Sequence, residues 1–525
     1  MKVAVLPPFM LLAGALIGVL VSSSSIVHGK QEPLTDPASG CCHILNDLLP
    51  NKVSWPGDPT YDAQQSSYYS ASQRKLQPQC RISPTTPADV STIMKTTSTR
   101  HRTPRCKFAV RSGGHMSFQG ASNIDGTGFT VDLQSLETGI SLSEDKKTVS
   151  FGAGYRWRDV YRELAVYNLT TVGGRVGDVG VGGFLLGGGI SFLTPKHGFG
   201  SDNIVNYEIV LANGSIVNAN VNDHADLYWA LKLGSTNFGI VTRFDMATFP
   251  QGQAWGGSQF YAIDDARALL EKLVTFTKNL VQDPKGFFGL TLVWNAAQQN
   301  YIVWTLQTYL DPIPFPPSLW SNFEEVKPLI DTTGVKSLMD ITEEFQEADP
   351  GKHGRSLWSS MTYKANVQFH LDLHQRGVEL FGAYQNRPGV LWGVGVQPLP
   401  RNVSEAALNS GGSPLNLSGD DGELWVMIFT SDWLDPADDE VMIESSRQLI
   451  HWAETEATHR GLFHPFVYMN YAAGFEDVMV RSTGKNLKKM MEVKKVYDPN
   501  DLLDETWMGG FKLPRKKQEH DRSEL

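Results

Sequence analysis

Two stretches of this 525-residue chain are nearly stripped of side chains: Val110-Arg111-Ser112-Gly113-Gly114-His115-Met116-Ser117 and, further along, Gly174-Arg175-Val176-Gly177-Asp178-Val179-Gly180-Val181-Gly182-Gly183. Turns of this kind constrain a fold strongly, because glycine admits backbone geometries and close approaches that a Cβ forbids. Together they can bring many backbone N–H groups against a diphosphate, each a fixed partial charge needing no counter-ion. The first also sets an imidazole, His115, beside whatever that diphosphate carries. The pattern reads as a cofactor cradle. Its spacing excludes several common ones: there is no G-x-G-x-x-G following a strand and no G-x-x-x-x-G-K-[ST], so neither the Rossmann dinucleotide fold nor a P-loop is expected. H-E-x-x-H and G-x-S-x-G are missing too, which removes the usual entry points to zinc-peptidase and α/β-hydrolase chemistry.

An apolar content of 41 % in a chain of this length is enough for two cores. Lys2, the apolar run Phe9 to Val21 and the small residues Ser22 to Ser25 read as a secretory signal over residues 1–25. The run is too short for a membrane span, so no stable membrane association is expected. In a secreted chain Cys41, Cys42, Cys80 and Cys106 are disulfide candidates. Adjacent cysteines seldom bridge each other, which leaves two connectivities open, each tying Cys41 and Cys42 separately to Cys80 and Cys106. Sequons at Asn168, Asn213, Asn402 and Asn416 fit the same compartment as glycosylation candidates. A net charge of −10 without a basic, aromatic-laced face argues against a nucleic-acid partner. The cluster Arg515-Lys516-Lys517 belongs to a polar tail, residues 515–525.

After a polar lead-in over 26–80, residues 81–250 alternate short β-type runs with glycine turns and brief helices. Phe108 to Arg111, Phe129 to Leu133, Thr148 to Gly152, Tyr207 to Leu211 and Gly239 to Phe244 have strand composition, and Asn213-Gly214 is a hairpin signal. Trp157 to Val166 and Asp226 to Lys232 have helical periodicity. Over 251–460 the texture changes. Amphipathic stretches at Asp264 to Val281, Phe323 to Leu329 and Pro436 to Thr458 alternate with aromatic strands at Phe288 to Trp294, Tyr301 to Gln307 and Leu424 to Thr430. Long helices over one antiparallel sheet would leave a free sheet face for a neighbour. From 461 to 514 strand signals return near Phe466, and Lys485 to Lys494 forms a helix stopped by Tyr497-Asp498-Pro499.

Val110 to His115, Ala121 to Gly126, Val179 to Gly189, Gly239 to Phe244, Tyr468-Met469-Asn470-Tyr471 and Val496 to Pro499 together resemble the FAD-linked oxidoreductases of the vanillyl-alcohol-oxidase superfamily, in the berberine-bridge-enzyme-like branch. The resemblance spans nearly the whole mature chain. It implies an α+β fold: a two-part PCMH-type FAD-binding domain with an inserted substrate domain of antiparallel sheet covered by helices, and a C-terminal segment returning to the first part. By resemblance, Arg111, Ser112, Gly113, Gly114, His115 and Ser117 wrap the FAD pyrophosphate. Val176, Gly177, Val179, Gly180, Gly182, Gly183, Gly187, Ile240, Val241 and Asn470 complete the FAD site. His115 would also bond the flavin 8α-methyl carbon, a tether that makes the flavin a stronger oxidant. Doubly tethered relatives have a cysteine where this chain has Val176, which cannot form a thioether, so a single covalent link is expected. Val179 falls where the branch controls dioxygen access, and its small side chain points to an oxidase.

Oxidation at a C–H bond by FAD needs a base for the substrate's O–H or N–H proton. Tyr471 matches a tyrosine that some relatives use so, with Tyr468 its neighbour. Gln397 stands where alkaloid-cyclising relatives have a glutamate, which argues against that ring closure. His370 and His374, four residues apart, and His464 lack an evident third partner, so no metal site is expected. Trp358, Tyr363, Trp392 and Phe466 are candidates for an apolar pocket or for ordinary core. The expected activity is oxidation of a hydroxyl or activated C–H group of a small aromatic or polyketide-like metabolite, with dioxygen as acceptor. Two alternatives stand beside it: a secreted carbohydrate oxidase, and a flavin-binding protein steering a non-redox cyclisation.

Overall fold

The adjacent cysteines determine how the fold begins. Successive helical residues point about 100° apart, so Cys41 and Cys42, on the helix Pro37–Leu48, reach different neighbours. Cys41 bonds Cys106 and Cys42 bonds Cys80. These bonds cross-link residues 65 and 38 apart in sequence, worth about 4 kcal/mol each by the chain-entropy argument. The computed structural model describes residues 37–98, 105–136, 139–295, 299–313, 318–348 and 354–515. The expected signal, 1–25, and residues 516–525 of the expected polar tail lie outside these.

Both cystines lead into a four-stranded sheet of order Val53–Ser54, Arg81–Ile82, Gly128–Asp132, Lys107–Arg111. Its last two strands are parallel, with Arg111 opposite Asp132. A five-stranded antiparallel sheet follows, of order Ile140–Leu142, Thr148–Gly152, Gly239–Ala247, Ile204–Leu211, Ile216–Ala219. Asn213-Gly214 forms the expected hairpin, with Gly214 at φ 82°. The first glycine-rich stretch leaves Lys107–Arg111, and the second lies between the helices Trp157–Ala165 and Val181–Leu186.

The largest sheet is antiparallel and nine-stranded. It runs Ile330–Asp331, Gln253–Ala262, Asn300–Tyr309, Gly286–Asn295, Leu391–Leu399, Leu424–Trp433, Arg355–Lys364, Phe463–His464, with Gly334–Ser337 paired to Gln253–Ala262. Strand side chains alternate between faces. Phe288, Leu290, Leu292 and Trp294 therefore enter the core formed with the helices Ala266–Asn279, Val367–Phe381 and Asp439–His459. Phe287, Gly289, Thr291 and Val293 face the other way and line a cavity. The architecture is α+β, with helices covering one face of this sheet. Two main clusters of buried side chains result, one drawn from 41–246 with 399–513 and the other from 255–473.

Several elements depart from the sequence pattern. Phe323 to Leu329, expected as a helix, is the end of a 3-10 turn, Ser318–Glu325, running on to the strand Ile330–Asp331. The strands Gln253–Ala262, Arg355–Lys364 and Leu391–Leu399 carry serines or glycines that mask their period, and the helices Leu338–Glu347 and Val367–Phe381 were equally unmarked. The strand signal near Phe466 reduces to Phe463–His464, after which the chain makes a 3-10 turn at Met469–Tyr471. The expected helix start at Pro436 is a 3-10 turn capped by Asp435, whose side chain accepts from the Ala437 N–H, and the α-helix begins at Asp439.

Candidate functional site

The free face of the nine-stranded sheet and the two glycine-rich stretches enclose a cavity of about 740 Å³. Within it the glycine stretches meet backbone to backbone. A Cβ on Gly113 would lie 2.5 Å from the Gly180 nitrogen and Cα, and one on Gly180 would lie 2.2 Å from the Gly113 nitrogen. No side chain fits at either position. Gly114 has φ +67°, a left-handed geometry that L side chains rarely adopt. Ser112 Oγ donates to the Ala153 carbonyl at 2.7 Å and accepts from the Gly182 N–H at 3.2 Å. The Arg156 guanidinium donates to the carbonyls of Gly113 and Asp178, so the two loops are held as one unit. A Cβ on Gly183 would meet nothing within 4 Å. Bare backbone along one wall, with Ile240 and Val241 beside it, is a surface that fits the phosphates and flat ring of a flavin nucleotide.

Ser112, Gly113, Gly114, His115, Val176, Val179, Gly180, Gly182, Gly183, Ile240, Val241, Gln397, Tyr468, Asn470 and Tyr471 all line this cavity. Four other expected residues do not. The buried Arg111 guanidinium pairs with Asp132 at 3.1 Å, donates to the Gln64 and Ser67 carbonyls, and lies over the Tyr68 ring. Its charge is engaged within the fold rather than offered to a phosphate. Ser117 is buried, and its Oγ accepts the Trp358 N–H at 3.0 Å. Gly177 packs beside Arg158 and Gln346, and Gly187 makes room for Asn470, whose Oδ1 would stand 2.2 Å from a Cβ there.

His115 stacks on Tyr69, with ring centroids 4.2 Å apart and planes 23° from parallel, while Trp358 flanks it at 5.8 Å. The Tyr69 N–H donates to the Gly114 carbonyl at 3.1 Å, fixing the turn that carries the imidazole.

In the same cavity, Arg175 of the second glycine stretch donates from one guanidinium nitrogen to Gln397 Oε1 and from another to the Tyr471 phenol oxygen. It also sits 4.9 Å over the Phe287 ring. Gln397 is 4 % exposed, and its Nε2 has no hydrogen-bond partner among the described residues. The two tyrosines differ. Tyr468 is fully buried, its oxygen accepts from the Ile190 N–H at 2.7 Å and from Asn470 Nδ2 at 3.1 Å, and burial pushes its phenol well above the ordinary range. Tyr471, edge-on to Tyr468 at 4.7 Å, is half-buried and holds the cation contact.

Arg175 and Tyr69 were not singled out in the sequence. Arg175 sits inside the second glycine stretch, where a lone cation among glycines was the available signal; Tyr69 lies in the lead-in and had none. Of the candidate aromatics Trp358 lines the cavity, whereas Tyr363 and Trp392 join the core beneath the sheet and Phe466 packs near Phe199. His370 is buried with Nδ1 2.7 Å from the Tyr363 hydroxyl, and His374 stacks on Trp392. Burial lowers the two imidazoles to about 3 and about 4.

Residues 78–220 match the family model described as an FAD binding domain. The chain is 34 % identical to the FAD-dependent monooxygenase tpcD of Cochliobolus heterostrophus, over 90 % of this chain and 95 % of that one. It is 33 % identical to the FAD-dependent monooxygenase drtC of Aspergillus calidoustus, over 96 % of each. Among solved structures, 6-hydroxy-D-nicotine oxidase from Arthrobacter nicotinovorans is similar in fold with a TM-score of 0.72, at 18 % identity, covering 93 % of this chain and all of that one. Xylooligosaccharide oxidase from Myceliophthora thermophila is similar with a TM-score of 0.71, also at 18 % identity, covering 91 % of this chain and all of that one.

Proposed function

The chain belongs to the FAD-dependent oxidoreductase family of the fungal FAD-dependent monooxygenases, and on that footing we propose that it acts as a berberine-bridge-enzyme-like oxidase on a hydroxyl or activated C–H group of a small aromatic or polyketide-like metabolite. The observation that carries this reading is the Arg175–Tyr471–Gln397 cluster, which shares one cavity with the glycine cradle. Held there, FAD would supply a hydride acceptor for the substrate carbon, with dioxygen as the final oxidant and hydrogen peroxide as its product.

The protein's own contribution is to hold, orient and deprotonate. The backbone of Ser112 to Gly114, Gly180 and Gly183 would hold the pyrophosphate, and His115 would provide a ring nitrogen for the 8α-methyl carbon. Val176 offers no second attachment. Tyr471, acting as the phenolate beside the Arg175 guanidinium, would receive the substrate's O–H proton, and Arg175 would balance the negative charge as it moves from the phenolate to the substrate oxygen. Gln397 orients the substrate oxygen. Val179, half-buried on the cavity wall, leaves dioxygen a path to the cofactor. In this reading residues 81–250 and 461–514 form the FAD part and 251–460 the substrate part.

Secretion is part of the same proposal. Two disulfides suit an oxidising compartment, and among the described residues no helix is long and apolar enough to cross a membrane. Asn168 and Asn213 are exposed and open to glycosylation. Asn402 is half-buried with its Nδ2 donating to the Pro195 carbonyl, and Asn416 is half-buried.

The test is anaerobic mixing of the holoprotein with two panels, phenolic or allylic alcohols and oligosaccharides. Bleaching of the flavin band by the first panel, with peroxide on readmission of air, is expected. Bleaching by sugars alone would replace this reading with carbohydrate oxidation, the activity for which the xylooligosaccharide oxidase of similar fold is named. Bleaching only by a nicotinamide reductant would favour the monooxygenase activity for which the fungal relatives are named. A flavin that no reductant-substrate bleaches would favour ligand steering without redox turnover.

A further inference from the structure

Glycine in the middle of a strand costs backbone entropy and gives up packing, so it needs a reason, and one reason is the close approach of a ligand. Gly289 sits inside the strand Gly286–Asn295 on the face that lines the cavity. The protein itself supplies no reason for it. A Cβ there would find Phe287 Cε1 and Cζ at 3.7 Å and the Leu306 carbonyl at 4.0 Å, which are ordinary contacts. Gly395 on the adjacent strand is different: a Cβ would stand 2.8 Å from Thr291 Oγ1 and 2.9 Å from Ile428 Cγ2, so neighbouring side chains already fill that space. Gly289 therefore leaves an opening toward the cavity that no protein atom claims.

What borders the opening defines its occupant. Leu290 pairs with Val396, so the antiparallel register puts Gly289 beside Gln397. The Arg175 contact at Gln397 Oε1 fixes which way the amide points, since only the carbonyl end can accept from a guanidinium. Nε2 is left as a buried donor without a protein acceptor among the described residues, a state that favours a ligand oxygen. Along the same sheet face Phe260 and Trp304 lie parallel within 4°, and Phe345 meets Trp304 at 5.3 Å. Aromatic faces beside a floor opened at Gly289 suit a flat ring and serve poorly for a sugar, whose hydroxyls would all need partners.

We propose that the gap over Gly289 seats a planar fused-ring phenol, its oxygen accepting from Gln397 Nε2 within reach of Tyr471. This rests on the oxidative reading above and adds the substrate's shape and anchoring point.

The test is calorimetric titration of holoprotein and variants with 1-naphthol, naphthalene and cellobiose, with flavin absorbance and melting temperature as controls for folding. 1-Naphthol is expected to bind the parent protein and to bind Gly289→Leu about tenfold or more weakly, with Gly289→Ala intermediate. Naphthalene should bind the parent more weakly than naphthol, and Gln397→Leu should erase that difference. Unchanged naphthol affinity in a folded, flavin-loaded Gly289→Leu protein, no naphthol binding to the parent, or binding of cellobiose alone would each overturn the proposal. Binding that depends on Gly289, with no flavin bleaching by a hydroxymethyl-substituted naphthol that carries the oxidisable C–H which 1-naphthol lacks, would leave the seat in place and defeat the oxidase reading. Bleaching with affinity indifferent to Gly289 would do the reverse.

Discussion

Arg175 and Tyr471, separated by 296 residues of sequence, meet as guanidinium and phenol oxygen on the wall of the cavity. The contact joins the second glycine-rich stretch to the returning C-terminal segment, so cofactor cradle and candidate base are assembled by one side chain. Removing either partner should therefore damage the chemical step more than cofactor retention. Tyr471→Phe and Arg175→Ala are each expected to slow anaerobic flavin reduction by about 10²–10⁴-fold, the usual worth of a positioned proton acceptor. The double variant should be little worse than either single one, because the two act as a unit. Stopped-flow reduction traces at matched flavin content provide the check.

His115 packs against Tyr69 and Trp358, which also touch each other, on the cavity wall. If it carries the tether, acid-precipitated parent protein keeps its yellow colour and His115→Ala releases it to the supernatant. The variant should still fold and bind FAD reversibly, with slower substrate oxidation because the untethered flavin is a weaker oxidant. Colour in the parent's supernatant would remove the covalent link while leaving FAD binding intact.

Glu476 ties the segment after Tyr471 to the large sheet, its carboxyl oxygens accepting from the Ala473 N–H at 2.7 Å and the Ser360 N–H at 3.2 Å. Burial raises this carboxyl from its ordinary value of 4.5 to about 8. The folded state thus holds one proton more than the unfolded chain between those values, so the group's contribution is complete below about 4.5 and is lost as pH rises through about 8. Glu476→Gln keeps a neutral acceptor and cannot ionise. Melting temperatures measured in parallel from pH 5 to pH 9 should show the parent losing ground to the variant as pH rises. Parallel curves would contradict the assignment. The comparison has to be made as a difference, because buried Lys512, lowered to about 7 by desolvation, tilts the parent's profile the opposite way.

Asp132 is the one carboxylate within ion-pair distance of two fully buried guanidiniums, Arg81 at 3.4 Å and Arg111 at 3.1 Å, among the described residues. Asp132→Ala strands both charges and should cost about 3–5 kcal/mol by chemical denaturation. Asp132→Asn, which keeps an acceptor, should cost less. Because Arg111 immediately precedes the first glycine turn, flavin retention is expected to fall along with stability.

The glycine stretches, the regular strands of residues 107–247 and the helix Trp157–Ala165 were legible because each is specified locally, by turn chemistry or by an unbroken period. The strands that form the cavity floor were less so. In Leu391–Leu399 the alternate positions Gly393 and Gly395 carry no side chain, and two glycines in one row weaken the contrast on which a period depends. The cysteine pairing was open because both remaining connectivities satisfy the spacing, and only the helix Pro37–Leu48 decides between them. Tyr471 could be singled out by resemblance, but Arg175 could not, since its role arises from a contact across 296 residues. Arg111 shows the converse. It reads as a phosphate ligand from its place in the motif, yet Asp132 on the parallel neighbouring strand takes its charge.

The most direct measurement is an anaerobic titration of the purified, secreted protein followed by visible absorption. A bound flavin spectrum that bleaches on addition of a fused-ring hydroxylated aromatic and returns with peroxide in air is the expected result. Protein that is correctly folded yet shows no flavin band, and takes up no FAD when titrated with it, would contradict the central claim that the two glycine-rich loops hold that cofactor against the cavity.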